Sequence, residues 1–423
     1  MAEVFDVIVL GIGGFGSGAA YHLARRGLRV LGLDRFRPAH DQGSSHGETR
    51  IIRKAYFEHP DYVPLLLKAY DLWADLEAES QQQLFWKCGL LLAGLPDSEA
   101  ISGARLSAKQ HGLTIENLTA SAATDRWPGF KVPNSFDAVF EADAGLLKVE
   151  DCVRTHLDLA TTHGAMLLFG DPVVSWSSTG REVRVCTATR EFIAASLVIT
   201  AGSWAGSVLA GLGLPLQVLR KPMFWFETRS PAYNLAASMP TFYFEMPAEA
   251  ASTFYGFPSL DGQVLKVAQH SGGELVADPL LVDRQLRESD VQPIADFLRT
   301  CLPAVRTQPV RHSTCLYTVT PDRHFVVDRH PEFSNVVIGC GFSGHGFKFT
   351  SVLGSVFADL ATTGSTELSL DFLNLARLAD QTSMADRRYS CSSGFGMTAI
   401  GSQESARQGT APTLETSQCF DAD

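Results

Sequence analysis

FDVIVLGIGGFG, residues 5–16, joins a short apolar run to a glycine-rich turn. A helical segment follows over residues 17–26, and Gly27 ends it. A second apolar run, residues 30–33, stops at Asp34. Strand, glycine turn, helix, strand and acid in this order predict a βαβ unit that binds a dinucleotide.

Each position of this fingerprint has a physical role. Gly11 permits the tight turn, Gly13 lets the backbone approach a pyrophosphate, and Gly16 lets the helix pack closely on the strands. The helix N-terminus offers free N–H groups and a positive dipole end to the phosphates. Asp34 is expected to accept hydrogen bonds from a ribose 2′-hydroxyl. The pattern predicts a dinucleotide without choosing between NAD and FAD, and a glycine turn in an unrelated sheet stays an alternative.

Composition limits the classes of partner. The chain has 423 residues, which favours two interlocked domains, and a formal net charge of −11, which argues against nucleic acid and acidic membranes. Eight cysteines without a CxxC pair suggest neither a disulfide framework nor a zinc site, and no metal is expected. We also expect no signal peptide, no membrane span and no peroxisomal tripeptide, and therefore a cytoplasmic protein.

The pattern of predicted secondary structure changes twice along the chain. Alternating α and β patterns give way to long β-rich runs over residues 216–307, and α/β texture returns from Val336. The predicted fold class is α/β (α+β overall), a Rossmann-like dinucleotide domain with an inserted β-sheet substrate domain. The first domain is expected to combine residues 1–85, 145–215 and 310–377, and the second residues 86–144 and 216–309. Residues 378–423, rich in Ser, Thr, Gly and Ala, are predicted to form a disordered tail.

Two stretches outside the fingerprint carry unusual cations. Residues 43–53 bring His46, Arg50 and Arg53 close to the ribose-binding acid, and arginine suits bidentate capture of a carboxylate. Solvated surface arginines are the alternative. Lys266 interrupts an apolar strand in which it faces away from its neighbours Leu265 and Val267. It has either a function or the common use of an edge-strand lysine that prevents aggregation.

Two further stretches carry a thiol and a second glycine turn. Cys315 lies in the strand-like run CLYTVTPD, where a lone cysteine is most often an inert small hydrophobe. Residues 339–349 read GCGFSGHGFKF, so their glycines bring backbone close to a flat or anionic group just before a helix. A simple turn between a strand and a helix is the alternative.

Together these stretches resemble the monomeric sarcosine oxidase family, which includes N-methyltryptophan oxidase and peroxisomal sarcosine/L-pipecolate oxidase within the D-amino-acid oxidase superfamily. The resemblance covers roughly residues 4–375. It is carried by the fingerprint and by residues 43–56 (GSSHGETRIIRKAY), 255–270, 315–322 (CLYTVTPD) and 335–349 (NVVIGCGFSGHGFKF). The wording of residues 43–56 is closest to the sarcosine/pipecolate branch.

The resemblance implies that the dinucleotide is FAD, joined covalently through its 8α-methyl group to Cys315. The basic neighbours Arg311 and His312 are expected to assist formation of the thiolate that this bond requires. Val174 is expected to touch the adenosine end. The cofactor residues implied in this way are Gly11, Ile12, Gly13, Gly14, Phe15, Gly16, Asp34, Arg35, Ser44, His46, Arg50, Val174, Cys315, Gly341, Phe342, Gly344, His345, Gly346 and Lys348.

The resemblance also implies catalytic roles. Lys266 would activate O2, Arg53 and Lys348 would bind the substrate carboxylate, and Arg50 would pack near the flavin ring. The substrate cavity would be lined by Tyr255, His270 and Tyr317. The implied activity is oxidation of a secondary or tertiary α-amino acid, with an imine that hydrolyses and O2 reduced to H2O2. The implied partners are a small amino acid and O2, and the implied state is a monomer.

Three alternatives stay open. A flavin-dependent dehydrogenase of the same fold would pass its electrons to another acceptor, although Lys266 argues against it. A non-catalytic dinucleotide-binding protein would have no use for the complete set of candidate catalytic residues. An NAD-dependent dehydrogenase would fit the fingerprint alone, without a role for Cys315. The preferred amine is not fixed, because residues 239–254 depart from the family pattern in length and wording.

Overall fold

A computed structural model describes residues 3–247 and 252–378 of the chain. These residues lie in one compact unit that runs from Met1 to Gln381. Except for residue 378, the tail predicted over residues 378–423 lies outside the described residues. Within the described ranges, no helix combines the length and the apolar character that crossing a membrane requires.

The helices and strands of the described ranges follow one another in mixed order. The helices are α1 (Gly14–Arg25), α2 (Tyr62–Ser80), α3 (Glu99–His111), α4 (Ala120–Arg126), α5 (Val149–Thr162), α6 (Ala205–Val208), α7 (Glu288–Cys301) and α8 (Thr350–Thr362). The strands are β1 (Glu3–Leu10), β2 (Val30–Asp34), β3 (Thr49–Ile52), β4 (Phe85–Trp86), β5 (Leu90–Gly94), β6 (Glu116–Thr119), β7 (Asp137–Glu141), β8 (Gly145–Lys148), β9 (Met166–Phe169), β10 (Val173–Ser178), β11 (Val183–Thr187), β12 (Glu191–Ile199), β13 (Gln217–Thr228), β14 (Thr241–Glu245), β15 (Thr253–Gly256), β16 (Val264–Gln269), β17 (Glu274–Leu275), β18 (Val305–Val319), β19 (Val326–Arg329) and β20 (Val336–Cys340).

The first sheet is built around the fingerprint strand. Its order is β10-β11-β12-β1-β2-β9, and β20 joins it by pairing with both β12 and β19. β1 pairs in parallel with β12 on one side and with β2 on the other. Because parallel strands are covered on both faces, the second half of β1 is apolar without alternation, and Val7, Ile8 and Val9 are all buried. Helices α1, α2 and α8 contribute to the core on one face of this sheet.

The second sheet is mostly antiparallel. Its order is β17-β13-β16-β15-β14-β5-β7-β6, with β18 paired to β13. One face packs with α7 in an aromatic core to which Phe242, Phe254 and Phe297 belong. The opposite face carries a separate cluster that includes Tyr255 and Cys315. A small third sheet has three strands in the order β3-β8-β4.

The predicted fold class is confirmed. The dinucleotide fingerprint forms the predicted strand, turn, helix and strand, and the β-rich run over residues 216–307 forms the second sheet. Strand β18 is continuous from Val305 to Val319, so the domain boundary predicted at residue 310 falls inside a strand. The division into two discontinuous domains stays a prediction.

Candidate active site

A long cleft opens where β1 and β2 end and α1 begins. Its empty volume, counted with the open mouth, is about 1480 Å³. Its lining extends from Asp171 and Val173, past the glycines of the fingerprint, to Tyr317 and Gly344, an elongated shape that suits an extended ligand such as a dinucleotide. The predicted cofactor residues in its lining are Gly11, Gly13, Gly14, Phe15, Asp34, Arg35, Ser44, Arg50, Gly341, Phe342, Gly344 and Gly346. The other predicted cofactor residues lie outside that lining: Ile12, Gly16, His46, Val174, Cys315, His345 and Lys348.

The start of helix α1 lies against the end of the first strand. A Cβ added to Gly16 would stand 1.9 Å from the carbonyl oxygen of Gly11. Any side chain at this position would therefore push α1 away from β1. The close approach directs the helix N-terminus, with its free N–H groups, into the cleft.

Asp34 ends β2 inside the cleft. Its carboxylate accepts hydrogen bonds from the backbone N–H of Ile12 at 3.1 Å and of Phe36 at 2.9 Å. Burial raises the pKa of Asp34 to about 6, although these two donors oppose the shift. Each carboxylate oxygen keeps a second lone pair, so Asp34 can still accept a hydrogen bond from a ribose hydroxyl.

The cleft also holds polar groups that suit a dinucleotide. The indole N–H of Trp204 is buried in the lining and has no hydrogen-bond partner. The Ser45 hydroxyl accepts the N–H of Gly14 at 3.1 Å, directly at the N-terminus of α1. Buried donors are normally satisfied, so the Trp204 nitrogen indicates a ligand acceptor at this point. These donors, together with Asp34, fit the phosphates and ribose of a dinucleotide.

The far end of the cleft differs from the expectation by one residue. The side chain of Val174 is 65% exposed, whereas Val173 lines the cleft. Neighbouring side chains on a strand point to opposite faces, and β10 turns Val173 inward. Val173, and not Val174, is therefore the valine whose side chain lines the cleft.

The loop that precedes α8 closes the cleft at its other end. The N–H of Ser343 donates to the carbonyl of Thr318 at 2.9 Å, which ties this loop to β18. Gly344 has a φ of 83°, and a Cβ there would lie 2.3 Å from the ring of Tyr317. Phe342 stacks on Phe15, with ring centroids 3.5 Å apart. Glycine at position 344 thus allows the loop and the Tyr317 ring to pack together.

One face of the second sheet collects three of the predicted catalytic residues, Tyr255, Lys266 and Tyr317, together with Cys315. The register pairs Trp225 with Lys266, Ala268 with Tyr255, and Lys221 with Cys315. Residues directly opposite each other on antiparallel strands share a face, as do residues two positions apart on one strand. The side chains that share this face are Lys221, Met223, Trp225, Tyr255, Lys266, Ala268, Cys315 and Tyr317.

Lys266 is buried in the middle of that face. Its Nζ donates to the carbonyl oxygens of Gly47 at 2.6 Å and Thr49 at 2.9 Å. Burial, and then the charge of Arg50, holds the pKa of Lys266 well below its usual value. Because β16 is paired on both sides, the alternative of an edge-strand lysine is wrong.

Cys315 is buried and touches a cation. Nη2 of Arg50 lies 3.5 Å from the Cys315 Sγ and 2.8 Å from the carbonyl oxygen of Ser44. The basic neighbours predicted from the sequence point elsewhere, since Arg311 pairs with Glu48 and His312 contacts the carbonyl of Arg284 at 3.3 Å. Arg50 is therefore the cation in contact with this thiol.

His46 is buried just before β3, the strand that carries Arg50. One ring nitrogen contacts the carbonyl of Gly43 at 3.2 Å, and the other contacts the hydroxyl of Ser313 at 3.4 Å. Burial, followed by the charges of Arg50 and Lys266, lowers the pKa of His46 to about 3. The imidazole is thus neutral near pH 7.

Arg53 and Glu58 form a buried ion pair. Nη2 of Arg53 donates to the Glu58 carboxylate at 2.6 Å, and Nη1 donates to the carbonyl of Ala55 at 3.1 Å. The guanidinium also packs over the rings of Phe57 at 3.9 Å and Tyr56 at 4.2 Å. Burial alone would raise the pKa of Glu58, but Arg53 and other cations lower it to about 2. The alternative of a solvated surface arginine is wrong for Arg53, which is 4% exposed.

Lys348 lies beside this pair. Its Nζ donates to the carbonyl of His345 at 2.5 Å and lies 5.1 Å from the centre of the Tyr56 ring. Burial, and then the charge of Arg53, lowers the pKa of Lys348 to about 7. The His345 ring forms hydrogen bonds with the Tyr56 hydroxyl and, at 3.0 Å, with the carbonyl of Arg323. His345 therefore holds Tyr56 with its ring and Lys348 with its carbonyl oxygen, and it lies outside the cleft lining.

His270, Tyr255 and Tyr317 form an uncharged wall. Nδ1 of His270 lies 3.4 Å from the Tyr317 hydroxyl, and the rings of His270 and Tyr255 are 6.2 Å apart. Burial, followed by the charge of Lys221, lowers the pKa of His270 to about 3. Burial raises the pKa of both phenols. All three groups are neutral near pH 7, and none is a strong base.

Three residues of these surroundings did not stand out in the sequence: Glu58, Trp204 and Lys221. Lys221 follows Arg220 and precedes Pro222 in β13, so it lacks the apolar neighbours that single out Lys266 in β16. Glu58 and Trp204 carry no signal in the sequence, because only the fold reveals their burial. Within the described residues, no group of three or more His, Cys, Asp or Glu side chains is arranged to hold a metal ion.

Comparison with known proteins agrees with this geometry. The family described as FAD dependent oxidoreductase matches residues 6–360. Monomeric sarcosine oxidase of Streptomyces avermitilis is 42% identical over 382 residues, which cover 90% of this chain and 99% of that protein. N-methyl-L-tryptophan oxidase of Citrobacter koseri is 36% identical and covers 88% of this chain and 99% of its own length.

A solved structure agrees as well. NikD, described as an unusual amino acid oxidase essential for nikkomycin biosynthesis, superimposes with a TM-score of 0.79 at 26% identity. The match covers 88% of this chain and 98% of that one. The resemblance drawn from the sequence is thus confirmed. The chain belongs to the family of FAD-dependent oxidoreductases.

Proposed function

We propose that this chain is an FAD-dependent oxidase of secondary or tertiary α-amino acids, N-alkylated or cyclic, such as sarcosine or L-pipecolate. The observation that carries the proposal is the buried cation pair, Arg53 and Lys348, which the rings of Phe57 and Tyr243 connect to the wall of uncharged groups. Cations at one end suit an α-carboxylate, and a neutral wall suits an amine that carries apolar substituents.

The relatives support the substrate class. The curated proteins at 42% and 36% identity are named for sarcosine and N-methyl-L-tryptophan, both N-methylated amino acids. The sequence of residues 43–56 most resembles the sarcosine/pipecolate branch, which adds L-pipecolate to the candidate substrates. The proposed class therefore covers small and cyclic amines, and a panel of substrates is needed to rank them.

The proposed reaction balances as a two-electron oxidation. A secondary amine loses two electrons and two protons across its C–N bond and becomes an imine, and a tertiary amine loses a hydride and becomes an iminium ion. Water then hydrolyses an N-alkyl product to a carbonyl compound and the shorter amine, whereas hydrolysis of a cyclic product opens its ring. Bound FAD supplies an acceptor for a hydride equivalent from the substrate. O2 takes up the same two electrons with two protons and leaves as H2O2.

The side chains of this site have distinct proposed roles. Arg53 and Lys348 bind the substrate carboxylate, which orients the amine. His270 and Tyr317, whose atoms lie 3.4 Å apart, assist as weak hydrogen-bonding groups. Because both are neutral, we infer that the substrate enters as the free amine and loses its proton to solvent before it is bound.

Two further roles concern the cofactor. We propose that Cys315 would hold FAD through a thioether to its 8α carbon. The thiol and the 8α-methyl group would each lose one hydrogen, and the two electrons set free would pass to the flavin and then to O2. Arg50, in contact with the sulfur, is proposed to assist this step. Lys266 is proposed to stabilise the negative charge that develops on O2 as it is reduced. Its amino group is fixed by two carbonyl oxygens, which keeps it preorganised.

The test is a panel of amines measured with two readouts. Sarcosine, N-methyl-L-tryptophan, L-pipecolate and L-proline are mixed anaerobically with the holoenzyme, and bleaching of the flavin absorbance reports substrate oxidation. Peroxide release in air reports the use of O2. No bleaching with any of the four amines contradicts the proposal.

The rival candidate is a dehydrogenase of the same fold, and the fixed cation Lys266 disfavours it. Reoxidation of the reduced enzyme in air, followed by stopped flow, distinguishes the two. A sluggish return of the flavin absorbance supports the dehydrogenase. We also propose that the protein is a monomer, as the names of its sarcosine-oxidising relatives suggest, and light scattering after gel filtration measures this.

A further inference from the structure

Lys221 is a second buried lysine on the same sheet face as Lys266. The residue is 4% exposed, and its Nζ donates to the carbonyl oxygens of Ser271 at 2.7 Å and Gly272 at 3.2 Å. Among the residues that the structure describes, no carboxylate oxygen lies within 4.0 Å of this ammonium group. A buried charge without a counterion destabilises the folded protein, so we expect Lys221 to have a function or to bind an anion.

The register places Lys221 on the sheet face that carries Cys315 and the proposed catalytic groups. It lies directly opposite Cys315 on the neighbouring strand, so the two side chains share a face. Its Nζ is 5.4 Å from the centre of the Tyr317 ring. Lys221 is also the charge with the strongest influence on the pKa of His270. It therefore stands beside two of the three groups of the uncharged wall, His270 and Tyr317.

Lys221 and Arg53 stand at the two ends of one aromatic surface. The successive contacts are Arg53 over Phe57 at 3.9 Å, Phe57 to Tyr243 at 5.1 Å, Tyr243 to His270 at 5.9 Å, His270 to Tyr317 at 5.6 Å, and Lys221 over Tyr317 at 5.4 Å. A substrate that lies along this surface meets a cation at each end. The cation at one end already has a proposed ligand, the α-carboxylate.

We propose that Lys221 binds a second, distal carboxylate, so that the preferred substrate is an N-alkyl α-amino acid with an acidic side chain. The inference rests on the proposed function, since Arg53 and Lys348 must take the α-carboxylate. The third proton of the ammonium group is free to donate, because two are used by Ser271 and Gly272.

The charge of Lys221 suits this role near neutral pH. Burial, and then the charge of Arg323, lowers the pKa of Lys221 to about 8. The group is therefore mostly protonated at pH 7, and an anion beside it would favour the protonated form further. A purely structural role, pinning the turn at residues 271 and 272, needs a hydrogen-bond donor but no charge.

The test compares two substrates that differ only in charge, N-methyl-L-glutamate and N-methyl-L-glutamine. In the native holoenzyme, kcat/KM for the glutamate should exceed that for the glutamine by at least about tenfold, the value of a charge-assisted hydrogen bond. Lys221→Gln keeps a donor for the turn and should reduce this ratio to about 1. Lys221→Arg keeps the charge and should retain a preference, and Lys68→Gln, an exposed control on α2, should leave the ratio unchanged.

Binding of inert acids keeps the test independent of turnover. Glutarate and its monoamide, glutaramate, are titrated against the flavin absorbance of the holoenzyme. Glutarate should bind at least about tenfold more tightly in the native protein and lose that advantage in Lys221→Gln. Equal binding of the two acids, or an advantage that survives Lys221→Gln, overturns the inference about Lys221. Selective binding of glutarate without oxidation of any amine supports Lys221 and rejects the proposed function instead.

Discussion

Nη2 of Arg50 lies 3.5 Å from Sγ of Cys315, although the two residues are 265 positions apart in the chain. Arg50 is on β3 and Cys315 is on β18, so the contact joins the small third sheet to the large second one. The same guanidinium also donates to the carbonyl of Thr49 at 2.8 Å, which fixes its direction. A fixed cation beside a thiol is the arrangement that favours thiolate chemistry.

Replacing the thiol tests the attachment of FAD. Cys315→Ser should leave FAD bound without a covalent bond, because a serine hydroxyl does not form the thioether. Acid precipitation of the native holoenzyme should keep the yellow colour in the pellet, and the variant should release it to the supernatant. Cys186→Ser, on β11 and outside the cleft lining, is the matched control and should behave like the native protein. Colour retained in the Cys315→Ser pellet would refute this attachment site.

Replacing Lys266 separates the two halves of the reaction. Lys266→Met keeps the length of the side chain and removes its charge, so reoxidation of the flavin by O2 should slow by about 100-fold or more, as for loss of a preorganised charge. Reduction of the flavin by substrate, measured anaerobically, should change little. Lys109→Met on the exposed side of α3 is the control. If reoxidation stays fast, O2 is reduced at another position.

The fold was predictable because its signals are local. Leu265 and Val267 alternate with Lys266 and Ala268, and β16 indeed turns the first pair into the aromatic core and the second pair toward the catalytic face. The glycine-rich turn after β1 likewise predicts where α1 begins, because Gly16 packs against the backbone of Gly11. Patterns of this kind depend only on neighbours in the chain.

The pairing of charges in the site was less predictable, since it depends on residues distant in sequence. The sequence suggested Arg311 and His312 as basic neighbours of Cys315, but β18 directs Arg311 toward Glu48 and the fold brings in Arg50. In the same way, the unpartnered N–H of Trp204 becomes visible only once the fold buries it in the cleft lining.

Removing Arg53 tests whether this residue binds the substrate carboxylate, but the substitution also leaves its ion-pair partner, Glu58, without a cation. Arg53→Met alone leaves Glu58 buried without its closest cation, which can cost ~3–5 kcal/mol of stability. The double variant Arg53→Met, Glu58→Gln removes both charges. It should bind substrate about 10- to 150-fold more weakly, the value of a lost charge-assisted hydrogen bond. Glu58→Gln alone is the control, because it keeps Arg53. Unchanged affinity in the double variant would mean that Arg53 does not bind the carboxylate.

The pKa of Lys348 predicts how carboxylate binding depends on pH. Burial lowers this pKa to about 7 in the free protein, so the ammonium is charged below pH 7 and loses its proton above it. Only the charged form attracts a carboxylate, and the Kd of methoxyacetate, a carboxylate without an amine, should therefore increase by up to about tenfold per pH unit above that point. Titrations against the flavin absorbance between pH 6 and 9 measure this dependence.

The neighbours of Lys348 do not titrate in that window, which makes its contribution separable. The pKa of Glu58 is about 2 and that of His345 is about 4, and the Arg53 guanidinium stays charged throughout. Lys348→Met should therefore bind methoxyacetate weakly at pH 6 and show a flat profile up to pH 9. A profile that keeps its slope in this variant would mean that another group controls the binding. A flat profile in the native protein would mean that Lys348 does not hold the carboxylate.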